Sequence, residues 1–305
     1  MIVVAEELDP EGLSMLRESG YPYLYEPRLA LSRKDLLATL PSATALIVRN
    51  RVVVDEELLD LAPQLRVVGR LGTGLDNVDQ RALERRHIPL IHAPALNARA
   101  VAEYVLAALF HFSRNLTKAA QGGSRIELGG FELEGKTIGL IGLGEIGLRV
   151  ASLTRSLGMH VVGYDPNRRP WEAAVELTGV VLKPLEAVLG EAHFVSLHAP
   201  LTPETRGLVD KGFLERMREG AYLVNTSRGA LVDHGALAKA LQSGHLAGAI
   251  LDVTDPEPLP DDHPLRKLQN CVITPHVAGL TKEAQARISR KVIQGVLEVI
   301  GVPIR

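Results

Sequence analysis

The 305-residue chain has 34 Lys and Arg residues against 36 Asp and Glu residues, and 46% of its residues are apolar. Such a chain can bury a large core and is long enough for two domains. The balanced charge and the absence of basic runs give no reason to expect nucleic acid as a partner. The apolar stretch 101–112 is interrupted by Glu103 and His111 and is too short to span a bilayer, so no membrane partner is expected either.

The N-terminus and the cysteine content bear on localisation. After a short apolar run the sequence turns acidic at Glu6 and Glu7, which predicts a first strand and no signal peptide. The single cysteine, Cys271, cannot form an internal disulfide, and this fits the reducing cytoplasm, where we expect the protein. Because Cys271 precedes the strand-like pair Val272-Ile273, it is predicted to be a buried, unreactive thiol.

Short β-branched runs alternate with helical stretches along the chain, which predicts β-α units and mostly parallel sheets. The predicted strands are residues 2–5, 45–48, 65–69, 90–92, 160–164, 193–198, 221–225, 249–252 and 272–274. The predicted helices include residues 10–19, 32–40, 55–61, 99–117, 148–157 and 282–300, and the glycine-rich segment 122–130 follows the long fourth one. Since the last helix has no further strand to serve, we expect it to return to the first domain.

A glycine-rich turn follows directly on an apolar strand, where Gly142, Gly144 and Gly147 have the spacing G-x-G-x-x-G. The first glycine permits a tight turn, the second a close approach of a pyrophosphate, and the third close packing of a helix on the strand. The amides of Glu145 and Ile146 open that helix, so the positive end of its dipole faces bound phosphates. The turn therefore predicts a dinucleotide cofactor.

The strand predicted at residues 160–164 ends in Asp165, about 20 residues beyond the glycines. A carboxylate at this point can accept hydrogen bonds from both ribose hydroxyls and repels a 2′-phosphate, so NAD is favoured over NADP. The alternative is that Asp165 only caps a turn before Pro166. Arg168 and Arg169 lie close enough in sequence to weaken the preference, which leaves its strictness open.

Three segments of the second half each follow a predicted strand and offer polar side chains. Ligands of parallel sheets bind beyond the carboxyl ends of the strands, so we expect the three segments to converge on one crevice. In the first segment, Arg228 is flanked by small residues and can present its planar guanidinium group to a carboxylate. Taken alone, such an arginine is more often a surface residue in an ion pair.

The other two segments contain Glu257, between two prolines, and His276, after a proline. A carboxylate beside an imidazole favours the charged ring and holds its orientation. His276 is thereby a candidate to give a proton to a ketone and to take one from an alcohol. Taken singly, Glu257 would be a loop charge and His276 a strand-end cap, so the hypothesis depends on both residues occurring together with Arg228 and the glycine turn.

Five blocks besides the glycine turn occur in a fixed order, namely residues 68–79, 197–202, 225–233, 251–258 and 275–276. With these blocks the sequence resembles the NAD-dependent D-2-hydroxyacid dehydrogenase family, and within it the D-3-phosphoglycerate dehydrogenase subfamily. The resemblance implies an α/β fold, with a Rossmann-type doubly wound parallel sheet inserted into a smaller flavodoxin-like substrate domain. The expected boundaries are 1–97 with 282–305 for the substrate domain and 98–281 for the NAD-binding domain. A homodimer through the NAD-binding domain is also implied.

The resemblance implies a catalytic set of Arg228, Glu257 and His276, with no metal. It also implies contacts with NAD by Thr73, Gly142, Gly144, Glu145, Ile146, Gly147, Asp165, His198, Ala199, Pro200, Thr226, Ser227, Arg228, Asp252, His276 and Gly279. Among these, Asp252 would lie near the nicotinamide carboxamide. The hypothesis for the reaction is that Arg228 binds the substrate carboxylate while His276, supported by Glu257, exchanges the proton on the substrate oxygen.

Arginines at the ends of first-domain strands bear on the substrate. Arg49, Arg51 and Arg70, with Gly72, Gly74 and Arg228, are the expected substrate contacts. Clustered guanidinium groups suit a second anionic group such as a phosphate or a sulfonate. We therefore expect the small-molecule substrate to be D-3-phosphoglycerate, oxidised to 3-phosphohydroxypyruvate.

Residues 49–54 depart from the subfamily pattern, and the tryptophan usual after Ala119 is missing, which keeps other substrates open. The alternatives are reduction of glyoxylate or hydroxypyruvate and oxidation of a sulfonated hydroxy acid. With no sequence after the last helix, we expect no regulatory domain and no serine feedback inhibition. A rival of another class is an NAD(H)-sensing corepressor, which resembles this family. Formate dehydrogenases pair glutamine with the histidine, whereas this chain has Glu257.

Overall fold

The computed structural model describes residues 1–114 and 129–302. The chain divides into two compact units, Met1–Asn97 with Leu280–Arg305, and Ala98–Gly279. The assignment of substrate binding to residues 1–97 and 282–305, and of NAD binding to 98–281, stays a prediction. The predicted end of the long helix at residue 117, most of segment 122–130 and the position of the missing tryptophan lie outside the described residues.

The first unit contains a parallel five-stranded sheet with the order β2-β1-β3-β4-β5. Its strands are β1 Ile2–Val4, β2 Tyr23–Tyr25, β3 Ala45–Val48, β4 Val67–Arg70 and β5 Leu90–His92. Its helices are α1 Pro10–Glu18, α2 Arg33–Thr39, α3 Glu56–Asp60 and α4 Gln80–Arg85, together with the helix Lys282–Ile300. This strand order is that of flavodoxin-like sheets, so the expected fold of the smaller unit is confirmed.

The second unit contains a parallel seven-stranded sheet with the order β12-β11-β10-β9-β6-β7-β8. Its strands are β6 Thr137–Ile141, β7 His160–Tyr164, β8 Val181–Leu182, β9 Phe194–Leu197, β10 Ala221–Asn225, β11 Leu246–Leu251 and β12 Cys271–Ile273. Its helices are α5 Ala98–Arg114, α6 Glu145–Ser156, α7 Ala173–Thr178, α8 Leu185–Glu191, α9 Lys211–Arg216 and α10 His234–Gln242, and the helix Lys282–Ile300 becomes α11. The order reverses direction at β6, as in a doubly wound Rossmann sheet, which confirms the predicted fold class.

Helices cover both faces of each sheet because the strands are apolar on both sides. In the first unit, α11 packs closely on β4, where a Cβ at Gly69 would lie 2.9 Å from Val292 Cγ1 and Val296 Cγ2. The second unit has one apolar cluster that includes Phe213 and Leu241, and another that includes Phe194. No helix within residues 1–114 and 129–302 has the combined length and apolarity to cross a bilayer.

Some predicted element boundaries are wrong. The strand predicted at 65–69 begins at Val67, because the amide of Leu65 closes a turn onto Ala62 O. The strand predicted at 249–252 begins earlier, at Leu246, in a register that shifts against β10. The strand predicted at 272–274 is Cys271–Ile273, and the short edge strands β2 and β8 were not predicted. The helix after the glycine turn begins at Glu145, where its first amides were expected, and ends at Ser156.

Candidate functional site

The site residues predicted in the second unit follow the carboxyl ends of neighbouring strands. In spatial order, β12, β11, β10, β9, β6 and β7 are adjacent parallel strands. Their carboxyl ends therefore lie along one edge of the sheet, where ligands of such folds bind. The loops at this edge contain, in that order, His276, Asp252 with Glu257, Arg228, His198, the glycine turn and Asp165.

The glycine turn links β6 to α6 with little room for side chains. Gly142 has a φ of +96°, and a Cβ there would lie 2.7 Å from Ala199 N. A Cβ at Gly147 would overlap Gly142 O, whereas a Cβ at Gly144 would point into open space. Gly144 is also the N-cap of α6 and provides no side-chain cap. The first amides of α6, including that of Glu145, consequently have no acceptor within the helix and suit an anion.

Leu143, inside the glycine turn, is held at both ends of its backbone by the loop after β7. Its N–H donates to Asp165 Oδ2 at 2.8 Å, and its carbonyl accepts from Arg168 Nε at 3.0 Å. Arg168 in turn donates from Nη1 to Glu172 Oε2 at 2.7 Å. Asp165 Oδ1 accepts the amide of Asn167, so the turn-capping role is present. Each carboxylate oxygen has two lone pairs, and capacity for ribose hydroxyls remains.

The end of β9 contains His198, Ala199 and Pro200, which were predicted from the resemblance alone. Burial lowers the pKa of His198 to about 4, so its ring is neutral at physiological pH, and Nε2 lies 3.0 Å from Ser196 Oγ. Ala199 O accepts a hydrogen bond of 2.5 Å from Ser227 Oγ, which ties the ends of β9 and β10 together. The β9 end therefore adds a neutral imidazole, and the backbone of His198 lies beside Gly142.

Arg228 lies in a turn that Asn225 closes at the end of β10. Asn225 Nδ2 donates to Arg228 O at 2.9 Å, and Asn225 Oδ1 accepts from Ser227 N at 3.0 Å. Arg228 donates from Nη1 to Ser227 O at 2.8 Å. Thr226 Oγ1 is buried and has no hydrogen-bond partner among the described residues. A buried hydroxyl of this kind is costly unless another group satisfies it, which fits a ligand at this strand end.

His276 and Glu257 lie together. His276 Nδ1 is 2.9 Å from Glu257 Oε1, and both side chains are partly exposed. The backbone of His276 is left-handed, with a φ of 56°, which is uncommon for a residue other than glycine and is found at strained functional positions. Its N–H donates to Asp252 O at 2.8 Å. The pair thus has the geometry of an oriented acid-base group.

Asp252 holds the loop that contains His276. Its side chain is 1% exposed. Oδ1 accepts hydrogen bonds from Thr274 Oγ1 at 2.6 Å and from Val277 N at 2.8 Å, and Oδ2 accepts from Ala278 N at 2.8 Å. Protein donors therefore occupy three of the four acceptor positions of the carboxylate. Its contact with the nicotinamide carboxamide stays a prediction.

Two hydroxyl groups near this carboxylate were missed by the sequence analysis. Tyr104 Oη lies 2.5 Å from Thr274 Oγ1, which itself donates to Asp252. Burial raises the pKa of Tyr104. The only sequence signal was a polar tip on an otherwise apolar face of a long helix, a pattern too common to single out a residue.

In the first unit, Arg49 and Arg51 lie in the loop after β3, which a buried glutamate organises. Glu6 is 4% exposed, and its carboxylate accepts from the backbone amides of residues 49–52 at 2.8 to 3.3 Å. Asn77 Nδ2 donates to Arg49 O and to Val52 O. Burial lowers the pKa of Arg49, the opposite of what its acidic neighbours do. Glu6 was not predicted as a site residue.

Arg70 ends β4 and is 7% exposed. Its guanidinium group covers Gly72, where a Cβ would overlap Nη1. Burial and the charge of Arg70 both lower the pKa of His92. Thr73 donates to Asn97 Oδ1 at 3.0 Å, and Gly74 follows it. These residues belong to the first unit, and their contacts with substrate or NAD stay predictions.

Gly279 is the last residue of the second unit. Within residues 1–114 and 129–302, no three His, Cys, Asp or Glu side chains form a group that could hold a metal ion.

Residues 103–278 match the family profile "D-isomer specific 2-hydroxyacid dehydrogenase, NAD binding domain". The chain is 43% identical over 302 residues to a D-3-phosphoglycerate dehydrogenase of Mycobacterium tuberculosis, covering 97% of this chain and 56% of that protein. It is 39% identical to an (S)-sulfolactate dehydrogenase of Chromohalobacter salexigens, covering 99% and 98%. A solved structure of an NAD-dependent formate dehydrogenase from Staphylococcus aureus, in complex with NAD, has a TM-score of 0.84 at 29% identity, covering 100% and 96%.

The chain spans about half the length of the phosphoglycerate dehydrogenases that it matches.

Proposed function

The chain belongs to the D-isomer specific 2-hydroxyacid dehydrogenase family, and on that premise we propose that it is an NAD-dependent oxidoreductase of D-2-hydroxy acids and 2-oxo acids. The observation that carries the proposal is the pair of His276 and Glu257, at 2.9 Å, on the same sheet edge as Arg228 and the glycine turn. This edge combines a proton-exchanging ring, a carboxylate-binding cation and an anion site for a dinucleotide.

His276 acts as the general acid and base. With Nδ1 bonded to Glu257, the ring presents Nε2 to the substrate oxygen. In reduction, Nε2–H gives its proton to the ketone oxygen and the ring becomes neutral; in oxidation, neutral Nε2 takes the hydroxyl proton. Glu257 holds the orientation of the ring in both directions through its contact with Nδ1. Arg228 binds the substrate carboxylate with its planar guanidinium group.

The residues of the second unit fit NAD. The open space at Gly144 leaves room for a pyrophosphate, and the buried Thr226 Oγ1 offers an unused hydrogen-bonding group. Bound NAD supplies the acceptor for the hydrogen on C2 of the hydroxy acid. The chain's own contribution is to position the acid and to exchange the proton.

NAD is preferred over NADP in this proposal. The carboxylate of Asp165 suits ribose hydroxyls and repels a 2′-phosphate. Of the two arginines that could attract that phosphate, Arg168 is bonded to Leu143 O and to Glu172, and Arg169 donates to Pro166 O. These hydrogen bonds hold the Arg168 guanidinium group against the glycine turn, which supports the preference for NAD over NADP.

D-3-phosphoglycerate is the substrate that we propose first. Its phosphate matches the guanidinium groups of Arg49, Arg51 and Arg70 in chemistry. A sulfonated 2-hydroxy acid is the second candidate, because a sulfonate uses the same cations and the sulfolactate dehydrogenase matches 99% of the chain. Glyoxylate and hydroxypyruvate, which lack a second anionic group, would leave these cations unused.

A homodimer through the NAD-binding domain and a cytoplasmic location are further parts of the proposal, taken from the family resemblance. A purely NAD(H)-binding corepressor is the rival of another class. Its prediction is cofactor binding without turnover of any 2-hydroxy acid.

A substrate panel tests the proposal. NADH formation is measured with D-3-phosphoglycerate and sulfolactate, and NADH consumption with 3-phosphohydroxypyruvate, 3-sulfopyruvate, hydroxypyruvate and glyoxylate. We expect turnover that His276→Ala lowers about 100-fold or more, since it removes the general acid, while NADH binding by fluorescence persists. His160→Ala, at an exposed histidine of β7, is the matched control and should keep full activity. Binding of NADH without turnover on any acid would favour the corepressor.

A further inference from the structure

We propose that Tyr104 and Thr274 are positioning residues for His276 and act through the buried carboxylate of Asp252. The two hydroxyls and the carboxylate form a chain, Tyr104 Oη to Thr274 Oγ1 at 2.5 Å and Thr274 Oγ1 to Asp252 Oδ1 at 2.6 Å. The effect on turnover rests on the proposed function, whereas the effect on the loop does not.

The hydrogen bonds from Tyr104 through Thr274 to Asp252 all donate in the same direction. A carboxylate can only accept, so the single hydroxyl hydrogen of Thr274 points to Asp252. Thr274 Oγ1 must then accept the hydrogen of Tyr104. Burial keeps the phenol of Tyr104 protonated, because it disfavours the charged form. Each hydroxyl is therefore used once as a donor, and neither can be replaced by a group that only accepts.

Asp252 connects the Thr274 hydroxyl to the backbone on both sides of His276. Its Oδ1 is shared between Thr274 Oγ1 and Val277 N, and Oδ2 binds Ala278 N. These amides follow His276 directly, and the His276 amide itself donates to Asp252 O. The left-handed backbone of His276 is therefore fixed on both sides by one residue. Loss of the Thr274 hydroxyl leaves Oδ1 with a single donor in a site where an unsatisfied carboxylate is costly.

Packing of the Tyr104 ring fixes the position of the first donor in this series of hydrogen bonds. It is a half-buried residue of α5 and packs against the apolar cluster that includes Leu140 and Ile250. Its partner Thr274 is 170 residues away in sequence and lies two residues before His276. The hydroxyl of Tyr104 thus links the end of β12 to the long helix α5. A purely apolar residue at this position would keep the packing but would lose the hydrogen bond to Thr274.

Four single variants test the proposal by kinetics. Thr274→Val removes the hydroxyl at nearly constant shape and should lower kcat about 30-fold with little change in KM, since small misplacement of a reacting group is expensive. Thr274→Ser keeps the hydroxyl and should restore kcat to within about twofold of the parent. Tyr104→Phe should lower kcat by about threefold. Tyr222→Phe is the control, because Tyr222 belongs to the same apolar cluster and burial also raises its pKa.

The double variant Tyr104→Phe with Thr274→Val tests whether the two hydroxyls act in series or independently. If they act in series, Tyr104 acts only through Thr274, so the double variant should have the same kcat as Thr274→Val alone. Multiplied effects would show that the Tyr104 hydroxyl acts independently of Thr274, and they would overturn its assignment.

A readout without substrate keeps the proposal separate from the proposed function. With ¹³C-labelled histidine, the Cε1–H resonance of His276 is identified by its loss in His276→Gln. We expect Thr274→Val to shift this resonance and to speed amide exchange at Val277 and Ala278, and Tyr222→Phe to do neither. If these signals move but no acid is turned over by the parent, the proposed function fails and the positioning stands. If Thr274→Val only lowers Tm, with kcat and the resonance unchanged, the positioning is wrong.

Discussion

Each unit has a buried carboxylate just beyond an internal strand, and each carboxylate holds the loop that follows the neighbouring strand. Glu6 follows β1 and binds the amides of residues 49–52 after β3. Asp252 follows β11 and binds the loop after β12. The two regions differ in their donors: Glu6 accepts backbone N–H groups, whereas Asp252 also accepts a hydroxyl that is bonded to Tyr104.

This difference matches what each loop is proposed to do. The attraction of a guanidinium group for an anion falls off gradually with distance, so the Arg49 and Arg51 loop tolerates small displacements. Proton exchange by His276 needs a heavy-atom distance of about 2.6 to 3.2 Å. The more extensive anchoring therefore lies under the residue with the stricter geometric requirement.

The largest expected effect concerns Cys271, the first residue of β12, which leads into the loop that contains His276 (the histidine loop). Burial raises the pKa of its thiol to about 12. At pH 8, iodoacetamide should therefore label the folded chain on the order of a thousandfold more slowly than the urea-unfolded chain, because only the thiolate reacts. Above pH 9, the folded rate should keep rising while the unfolded rate levels off. Equal rates at pH 8 would show that the Cys271 thiol is not buried in the folded protein.

Asp252→Asn should have the next largest effect. The amide NH2 group would face a backbone donor of the histidine loop, so the loop would shift. We expect kcat to fall about 100-fold and the free energy of unfolding to fall by about 2 kcal/mol, measured by urea titration. Asp262→Asn, at an exposed residue of the same segment, is the control. An unchanged kcat would mean that the carboxylate does not set the position of His276.

Glu6→Gln is the matching change in the first unit. Its NH2 group would replace one carboxylate oxygen and face two or three of the backbone donors of residues 49–52, so the loop that contains Arg49 and Arg51 would relax. If the proposed phosphorylated or sulfonated acid is the substrate, we expect its KM to rise about tenfold with a smaller change in kcat, because binding and not proton exchange is affected. Exposed Glu7→Gln is the control. If kcat falls as much as KM rises, the contrast between the two loops is lost.

The smallest expected effect is at Glu172, a third carboxylate that is 31% exposed in its ion pair with Arg168. Exposed pairs contribute little, so Glu172→Gln should release Arg168 only partly. We expect the ratio of kcat/KM for NADP to that for NAD to rise about threefold. Calorimetry with 2′-AMP against 5′-AMP measures the same change without turnover, and exposed Glu176→Gln is the control. A ratio that stays constant would remove Arg168 from cofactor choice.

The sequence predicted the strand ends well because position in a β-α unit decides which residues reach the binding edge. The glycine turn, Arg228, Glu257 and His276 each follow a strand, and parallel strands bring such residues to one side. The short edge strands β2 and β8 escaped prediction because two or three residues, none of them fully buried, are too few to show periodicity.

The two carboxylate anchors could not be predicted, because their partners are neighbours in space and not in sequence. Glu6 binds amides 43 to 46 residues away, and it had marked only the acidic end of the first strand. Asp252 was assigned to the cofactor by resemblance, and nothing in its own segment indicates that Ala278 and Thr274 use its oxygens. Strand order in the folded sheet is needed to see either.

The backbone of Leu143, fixed by Asp165 at one end and by Arg168 at the other, has a consequence for protein engineering. A change of cofactor to NADP calls for replacing Asp165, because its carboxylate repels a 2′-phosphate. In this chain that replacement would also release the Leu143 amide between the first two glycines, so affinity for both cofactors should suffer. Substitutions that leave this peptide bonded offer the better starting point for changing which cofactor the protein uses.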